Sequence, residues 1–299
     1  MLHERISENV YWFQSELYAQ VSAGVVSGPQ WAVVIDTLAT PDETLAMRAF
    51  IEDEIGVPVR YVIDTHYHAD HAWGNCFFPG AWVIAHDGCY EALQNRGRAS
   101  LASAQSENPA FRRVEIVLPH FTFSQGQTIL KVGKKSLNIF PTPGHSPDGI
   151  SVLVEEDRIL FGGDAFMPLP SFVDGDVDDL IASTKRVAKM SLENIIQGHG
   201  DVILRGEIDD ALKENLAYLN NVKKAVRSVA RRSYPLEALG DITVESCGKS
   251  RVLIGGLAEE LHQRNLRALL RQTLRQTRQA RQGVSGAAVT GTRRRRAQA

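Results

Sequence analysis

His66-Tyr67-His68-Ala69-Asp70-His71 is the stretch that decides how this chain is read. Three imidazoles and a carboxylate fall within one short turn, directly after the apolar run Tyr61-Val62-Ile63. Imidazole and carboxylate are the standard ligands of zinc and its first-row neighbours. His66 and His68 are two apart, so in an extended loop they project to the same side. Asp70 and His71 follow as the chain turns and reach a second position close by. That arrangement suits two adjacent metal ions better than one.

The rest of the chain supplies matching groups. His145 lies in Pro143-Gly144-His145-Ser146, after the apolar segment Leu137 to Phe140. Asp164 closes Phe161-Gly162-Gly163-Asp164, and His199 lies in Gln197-Gly198-His199-Gly200 after Ile195-Ile196. Each candidate sits where a short strand gives way to a Gly-rich loop, and loops on a rigid scaffold are where sites are built. Five of the nine histidines take part, so a surface coincidence or a single structural zinc site is the poorer account.

The ordered set His66-x-His68-x-Asp70-His71, His145, Asp164 and His199 resembles the metallo-β-lactamase superfamily. The resemblance implies an α/β (α+β) fold, a four-layer αβ/βα sandwich with the metal site at one edge of two facing sheets. It implies that His66, His68 and His145 hold one metal and that Asp70, His71 and His199 hold another. Asp164 would bridge them. Two divalent ions per chain follow, zinc first, with iron or manganese accepted by the same ligands. A bound metal lowers the pKa of water toward ~7. A hydroxide shared by two ions would attack a thioester, ester, lactone or β-lactam carbonyl. Asp70 would be both ligand and catalytic orienter of that hydroxide, with no Ser or Cys nucleophile required.

Metal-bound imidazoles usually give their other N–H to a carboxylate or carbonyl. Asp64 and Asp36, each at the end of an expected strand, are candidates for that role or for ordinary strand-end caps. Tyr67 and Asp148 are the substrate-binding candidates. The Tyr67 hydroxyl would touch substrate, or its ring would pack behind the metal loop. Asp148 would repel anions or bind an amine, or it would only shape a turn.

Within the superfamily, the commonest dedicated zinc β-lactamases carry Cys where Asp164 stands. They carry Lys where this chain has Met167. Glyoxalase II shares all the ligand types, but its cationic glutathione-binding motif has no clear counterpart here. The segment Gly144-His145-Ser146-Pro147-Asp148-Gly149, with His262-x-x-Asn265-Leu266, resembles the glyoxalase-II-related hydrolases found near sulfur-oxidation and quinoprotein systems. A persulfide dioxygenase with a single iron on His66, His145 and Asp164 is the oxidoreductase alternative. An RNA-processing nuclease is the third reading. The short interval between Asp164 and His199 leaves no room for the extra domain of the nucleic-acid-processing branch.

The chain has 299 residues, is 43% hydrophobic and carries a net charge of -2, ordinary values that imply no global pull toward nucleic acid. Its start, Met1-Leu2-His3-Glu4-Arg5, has no apolar signal core, and no run approaches the ~18 apolar residues of a membrane helix. Cys76, Cys89 and Cys247 are widely spaced, which fits reduced thiols in a cytoplasm. The expected partner is a small-molecule substrate, with no membrane and a homodimer left open. The expected layout is a hydrolase domain over 1–235, a C-terminal helical extension over 236–282 and a disordered basic tail over 283–299. Arg264, Arg267, Arg271, Arg275, Arg278 and Arg281 recur at helical spacing. They are read as a solvated face rather than a nucleic-acid stripe, because no aromatic residues interleave with them.

Overall fold

Val10, Trp12, Val26, Val33 and Ile35 bury on one side of their sheet, while Phe13, Ala23, Val25 and Val34 bury on the other. This period of two makes each strand apolar on both faces. Such strands must be covered twice, and the architecture follows from that need. The computed structural model describes residues 1–294, with side chains described through Thr277 and at Gln279.

The first half runs β1 (Leu2–Ser7), β2 (Val10–Gln14), β3 (Ser22–Ser27), β4 (Ala32–Ile35), α1 (Pro41–Ala49), β5 (Val59–Ile63), α2 (Ala69–Ala72), β6 (Trp82–His86), α3 (Asp87–Ala92), α4 (Arg98–Glu107) and β7 (Phe121–Phe123). The second runs β8 (Thr128–Val132), β9 (Lys135–Pro141), β10 (Ile150–Val154), β11 (Ile159–Gly163), α5 (Val177–Val187), β12 (Asn194–Gln197), β13 (Ile203–Leu204), α6 (Ile208–Val229) and α7 (Ala258–Arg294). Strands β1 to β7 form a seven-stranded sheet in sequence order, and β13-β12-β11-β10-β9-β8 form a six-stranded one.

The two sheets face each other. Val26, Val33, Ile35 and Ile63 of the first pack against Ile139, Val152, Ile159 and Phe161 of the second. Gly24 permits the close approach, because a Cβ there would lie 1.9 Å from the Phe161 ring. The outer face of the first sheet packs on Met47 of α1 and on Ile51 beyond it. Phe140, Leu160 and Ile195 of the second sheet pack on α5, α6 and the Leu266-Leu269-Leu270 face of α7. Helix, sheet, sheet and helix make the expected four layers.

Local signals explain the element ends. Thr40 precedes α1 and Pro41 opens it, and the Thr40 hydroxyl donates to Glu43 instead of accepting a helix N–H. Gly56 adopts the left-handed conformation where that helical segment stops. The Asp176 side chain accepts from the N–H groups of Asp178 and Asp179 and caps α5. The strand β1 carries a weak sequence signal. It lies on the sheet edge with Leu2 half exposed, so its hydrophobic pattern is weak. The expected tail boundary at 283 falls inside α7. Residues 295–299, and the side chains of Arg278 and Arg281, lie outside what is described. Among the described residues, no helix is long and apolar enough to cross a membrane.

Candidate metal centre

Asp36 follows β4, His66 follows β5, Asp164 follows β11 and His199 follows β12. These strands pair in parallel, β4 with β5 and β11 with β12, so their carboxyl ends open on one edge of the sandwich. His145 arrives on the loop between β9 and β10, while Asp70 and His71 ride on α2. All seven expected ligands therefore converge. They form two groups: His66, His68, His145 and Asp164, then Asp70, His71 and His199. Within each group one ligand atom per residue lies within 4.8 Å of every other. Asp164 lies between the groups. Its Oδ2 is 3.3 Å from His145 Nε2 and 3.4 Å from His199 Nε2, and its Oδ1 is 3.2 Å from His71 Nε2.

Every imidazole spends one nitrogen on the protein. His71 Nδ1 donates to Asp36 Oδ2 at 2.9 Å, His145 Nδ1 to the Ser171 carbonyl at 2.9 Å and His199 Nδ1 to the Ala19 carbonyl at 2.8 Å. His66 Nδ1 meets the Thr65 hydroxyl at 3.1 Å, and that hydroxyl donates onward to Asp36. His68 is turned the other way, giving Nε2 to Asp174 Oδ2 at 3.1 Å. These bonds orient the rings and leave the second nitrogen of each facing the point of convergence.

The inward nitrogens crowd together. His68 Nδ1 lies 2.9 Å from His66 Nε2 and 3.0 Å from His145 Nε2. Nitrogens at that distance need a proton or a cation between them, and one proton on His68 Nδ1 serves only part of the cluster. His71 Nε2 and Asp164 Oδ1 are buried 3.2 Å apart, outside hydrogen-bond geometry, and neither has another partner among the described residues. Buried polar atoms are normally satisfied, and two orphans at the convergence of five imidazoles fit metal ligation. In the metal-free chain the protons distribute unevenly. Burial lowers His66 well below its usual value and brings His145 to about 4. Burial would also lower His199, but the Asp164 and Asp70 carboxylates reverse it and raise it to about 10. His71 is likewise raised, against burial, by Asp164, Asp36 and Asp70.

Of the two candidate orienting carboxylates, Asp36 serves the centre. It accepts from the Thr65 N–H at 2.7 Å as well as from His71. Asp64 instead accepts from Asn75 Nδ2 at 2.8 Å, and burial pushes its carboxyl well above the usual range. Tyr67 and Asp148 do not line the metal cleft and sit together on a neighbouring surface pocket. Asp148 Oδ2 accepts the Tyr67 N–H at 2.8 Å, bracing the ligand loop from behind. The Tyr67 hydroxyl donates to Asp174 Oδ2 at 3.2 Å, and burial pushes it up to about 12.

The cleft over the centre encloses about 570 Å³. Leu17 and Tyr18 form one wall, and Ile254, Leu257 and Leu261 of the C-terminal segment form another. Leu17 is 70% exposed and Tyr18 51%, so the cleft presents open apolar surface. Arg264 stands in the same lining, and sequence reasoning missed its place there. The helix also secures the centre at a distance. Asn265 Nδ2 donates to the Pro170 carbonyl at 2.8 Å and Asn265 Oδ1 accepts the Phe172 N–H at 3.0 Å. The carbonyl between them, Ser171, is the one that orients His145. The His262-x-x-Asn265 pattern was the available signal for this contact.

The chain belongs to the metallo-β-lactamase superfamily, whose family model matches residues 18–207. It is similar to the thioesterase pkgB of Emericella nidulans, 28% identical over 176 residues, covering 58% of this chain and 43% of that protein. It is also similar to the human acyl-coenzyme A thioesterase MBLAC2, 23% identical over 227 residues, covering 66% of this chain and 80% of that one. Among solved structures, the stereoselective inverting sec-alkylsulfatase Pisa1 from Pseudomonas sp. superposes with a TM-score of 0.73 at 15% identity, over 90% of this chain and 50% of that chain, a likeness of fold alone. The chain spans about half the length, 43% and 51%, of the first two curated relatives it matches.

Proposed function

We propose that the protein is a binuclear metal-dependent hydrolase of thioesters, with oxygen esters, lactones and β-lactams as lesser substrates. The observation that carries this reading is the convergence of seven donors in two adjoining groups with Asp164 between them. His66, His68 and His145 would hold one divalent ion, Asp70, His71 and His199 the other, and Asp164 both. Zinc is the first expectation, and these ligands also accept iron or manganese. When bound, the ions supply Lewis acidity, activating water near neutral pH and polarising a carbonyl.

The chain's own residues supply the rest. Asp70 Oδ2, 3.4 Å from His199 Nε2, stands on the cleft wall where it accepts a hydrogen bond from the attacking water and orients it. Hydrolysis forms one C–O bond and breaks the C–S bond, and the thiol leaves with a proton that came from the water. Leu17, Tyr18, Leu257 and Leu261 offer apolar surface along the cleft for the acyl chain, which would cover it on binding. The thioesterase names of pkgB and MBLAC2 support the choice of a thioester over other carbonyl substrates.

The test is thiol release from a panel of acyl thioesters. Turnover should disappear on chelation and return with added zinc or manganese. Asp70→Ala should remove nearly all of it while circular dichroism stays native. Absence of thiol release across the panel, together with oxygen uptake on glutathione persulfide, would replace the hydrolase by the dioxygenase.

A further inference from the structure

A second groove continues from the metal cleft. It encloses about 540 Å³ and shares Val173 and Asp174 with the cleft, so the two form one path. Its far wall is α7, which contributes Ala268, Arg271, Gln272 and Arg275. Arg264, Ala268, Arg271 and Arg275 are spaced four, three and four apart, which places them on one face of the helix. Arg264 opens the path beside the centre, and Arg275 lies about 16 Å farther along the axis at about 1.5 Å per residue.

Two of the three arginines on this path keep an unpaired charge among the described residues. Arg264 pairs with Glu260 at 3.3 Å, but among the described residues Arg271 and Arg275 have no acidic partner. Asp174 on the opposite side has its carboxylate engaged by His68 Nε2 and by the Tyr67 hydroxyl. Asp176 nearby is engaged by Gln272 and by the α5 cap. Two exposed guanidinium groups one helical turn apart, about 6 Å in rise, match adjacent phosphates and not a single carboxylate. Ala268 keeps the helix surface low between Arg264 and Arg271, leaving room for an extended linker. Gln276 and Gln279 add amide donors and acceptors at the far end.

We propose that this groove binds the diphosphate of the substrate's thiol carrier, with Arg271 and Arg275 on the phosphates and the thiol arm running past Ala268 and Arg264 to the metal centre. The leaving group is then a nucleotide-type diphosphate thiol, and the acyl chain occupies the apolar cleft. This rests on the thioester reading, but binding can be measured without turnover.

The probe is S-ethyl-coenzyme A, a thioether that cannot be hydrolysed, titrated into metal-loaded protein by calorimetry. S-ethyl-pantetheine, which lacks the phosphates, is its counterpart. The wild type should bind the phosphorylated probe at least tenfold more tightly than the unphosphorylated one. The double variant Arg271→Gln, Arg275→Gln should lose at least tenfold for the phosphorylated probe, about 1.4 kcal/mol. Equal affinity of both proteins for the phosphorylated probe, or of the wild type for both probes, would overturn the site. So would an RNA oligomer that displaces the probe and binds more tightly, with steep salt dependence, because the face would then serve nucleic acid. Diphosphate-dependent binding without thioester hydrolysis would leave the groove standing and remove the hydrolase. Thioester hydrolysis with no preference for the phosphates would do the reverse.

Discussion

Phe172 donates its backbone N–H to Asn265 Oδ1 at 3.0 Å across 93 residues of sequence. The bond ties α7 to a loop whose preceding carbonyl, on Ser171, accepts the Nδ1 proton of His145, one of the converging donors. Asn265 is fully buried, and its Nδ2 is shared between the Pro170 carbonyl and the Tyr218 hydroxyl. The C-terminal helix is thus a strut of the metal centre as well as a wall of its cleft.

Asn265→Ala should uncouple the strut. The loop over 170–172 loses two anchors and His145 its fixed orientation, and loss of such outer contacts typically costs about 10- to 100-fold in metal affinity or activity. Stability should fall by about 1–3 kcal/mol, because buried partners are left unsatisfied. Chelator competition and urea unfolding measure the two effects. A variant with weakened folding but unchanged metal affinity would show that the helix only packs.

Gly198→Ala should damage the centre through sterics alone. A Cβ at Gly198 would fall 1.9 Å from Asp164 Oδ1 and 2.7 Å from the Gly163 carbonyl carbon. Asp164 must then move, and the contact common to both ligand groups moves with it. Metal content per chain should drop, with a loss of about 1–3 kcal/mol in stability from overpacking. Full metal retention would mean that the loop relaxes without disturbing Asp164.

Acid should weaken the α6–α7 packing through His262. Its Nδ1 accepts from the Tyr218 hydroxyl at 2.9 Å and its Nε2 donates to the Ile242 carbonyl at 3.1 Å, so the ring is neutral. Burial lowers its pKa, while the Ile242 carbonyl, Glu259 and Glu245 pull the other way without reversing the shift. The unfolded chain then binds a proton that the folded chain resists. The stabilisation is complete above the unfolded value of ~6.5 and is lost as pH falls through the lower folded value. The stability difference between wild type and His262→Gln should shrink between about pH 7 and about pH 5. Urea midpoints measure it, and a constant difference over that range would refute the linkage.

The converging donor cluster was legible because it is dense. His66, His68, Asp70 and His71 occupy one turn, and His145, Asp164 and His199 each end an apolar segment beside glycine. The strands β3 and β4, buried on both faces, show in the sequence as short apolar runs. What escaped was long-range or weakly patterned. The exposed edge strand β1 has little apolar signal, and β7 and β13 are too short to show a period. The bond from Asn265 to Phe172 joins distant positions that no local rule pairs. The Arg271 and Arg275 side chains read as a solvated face until the groove beneath them was visible. Asp148 was singled out for substrate because of its spacing from His145, yet the fold turns it behind the ligand loop to hold the Tyr67 N–H.

The most direct test is the metal content of wild-type protein, measured by mass spectrometry after growth without added metal. The account predicts close to two ions per chain, zinc alone or zinc mixed with manganese or iron. One iron per chain and little else would contradict the binuclear centre and with it the shared role of Asp164.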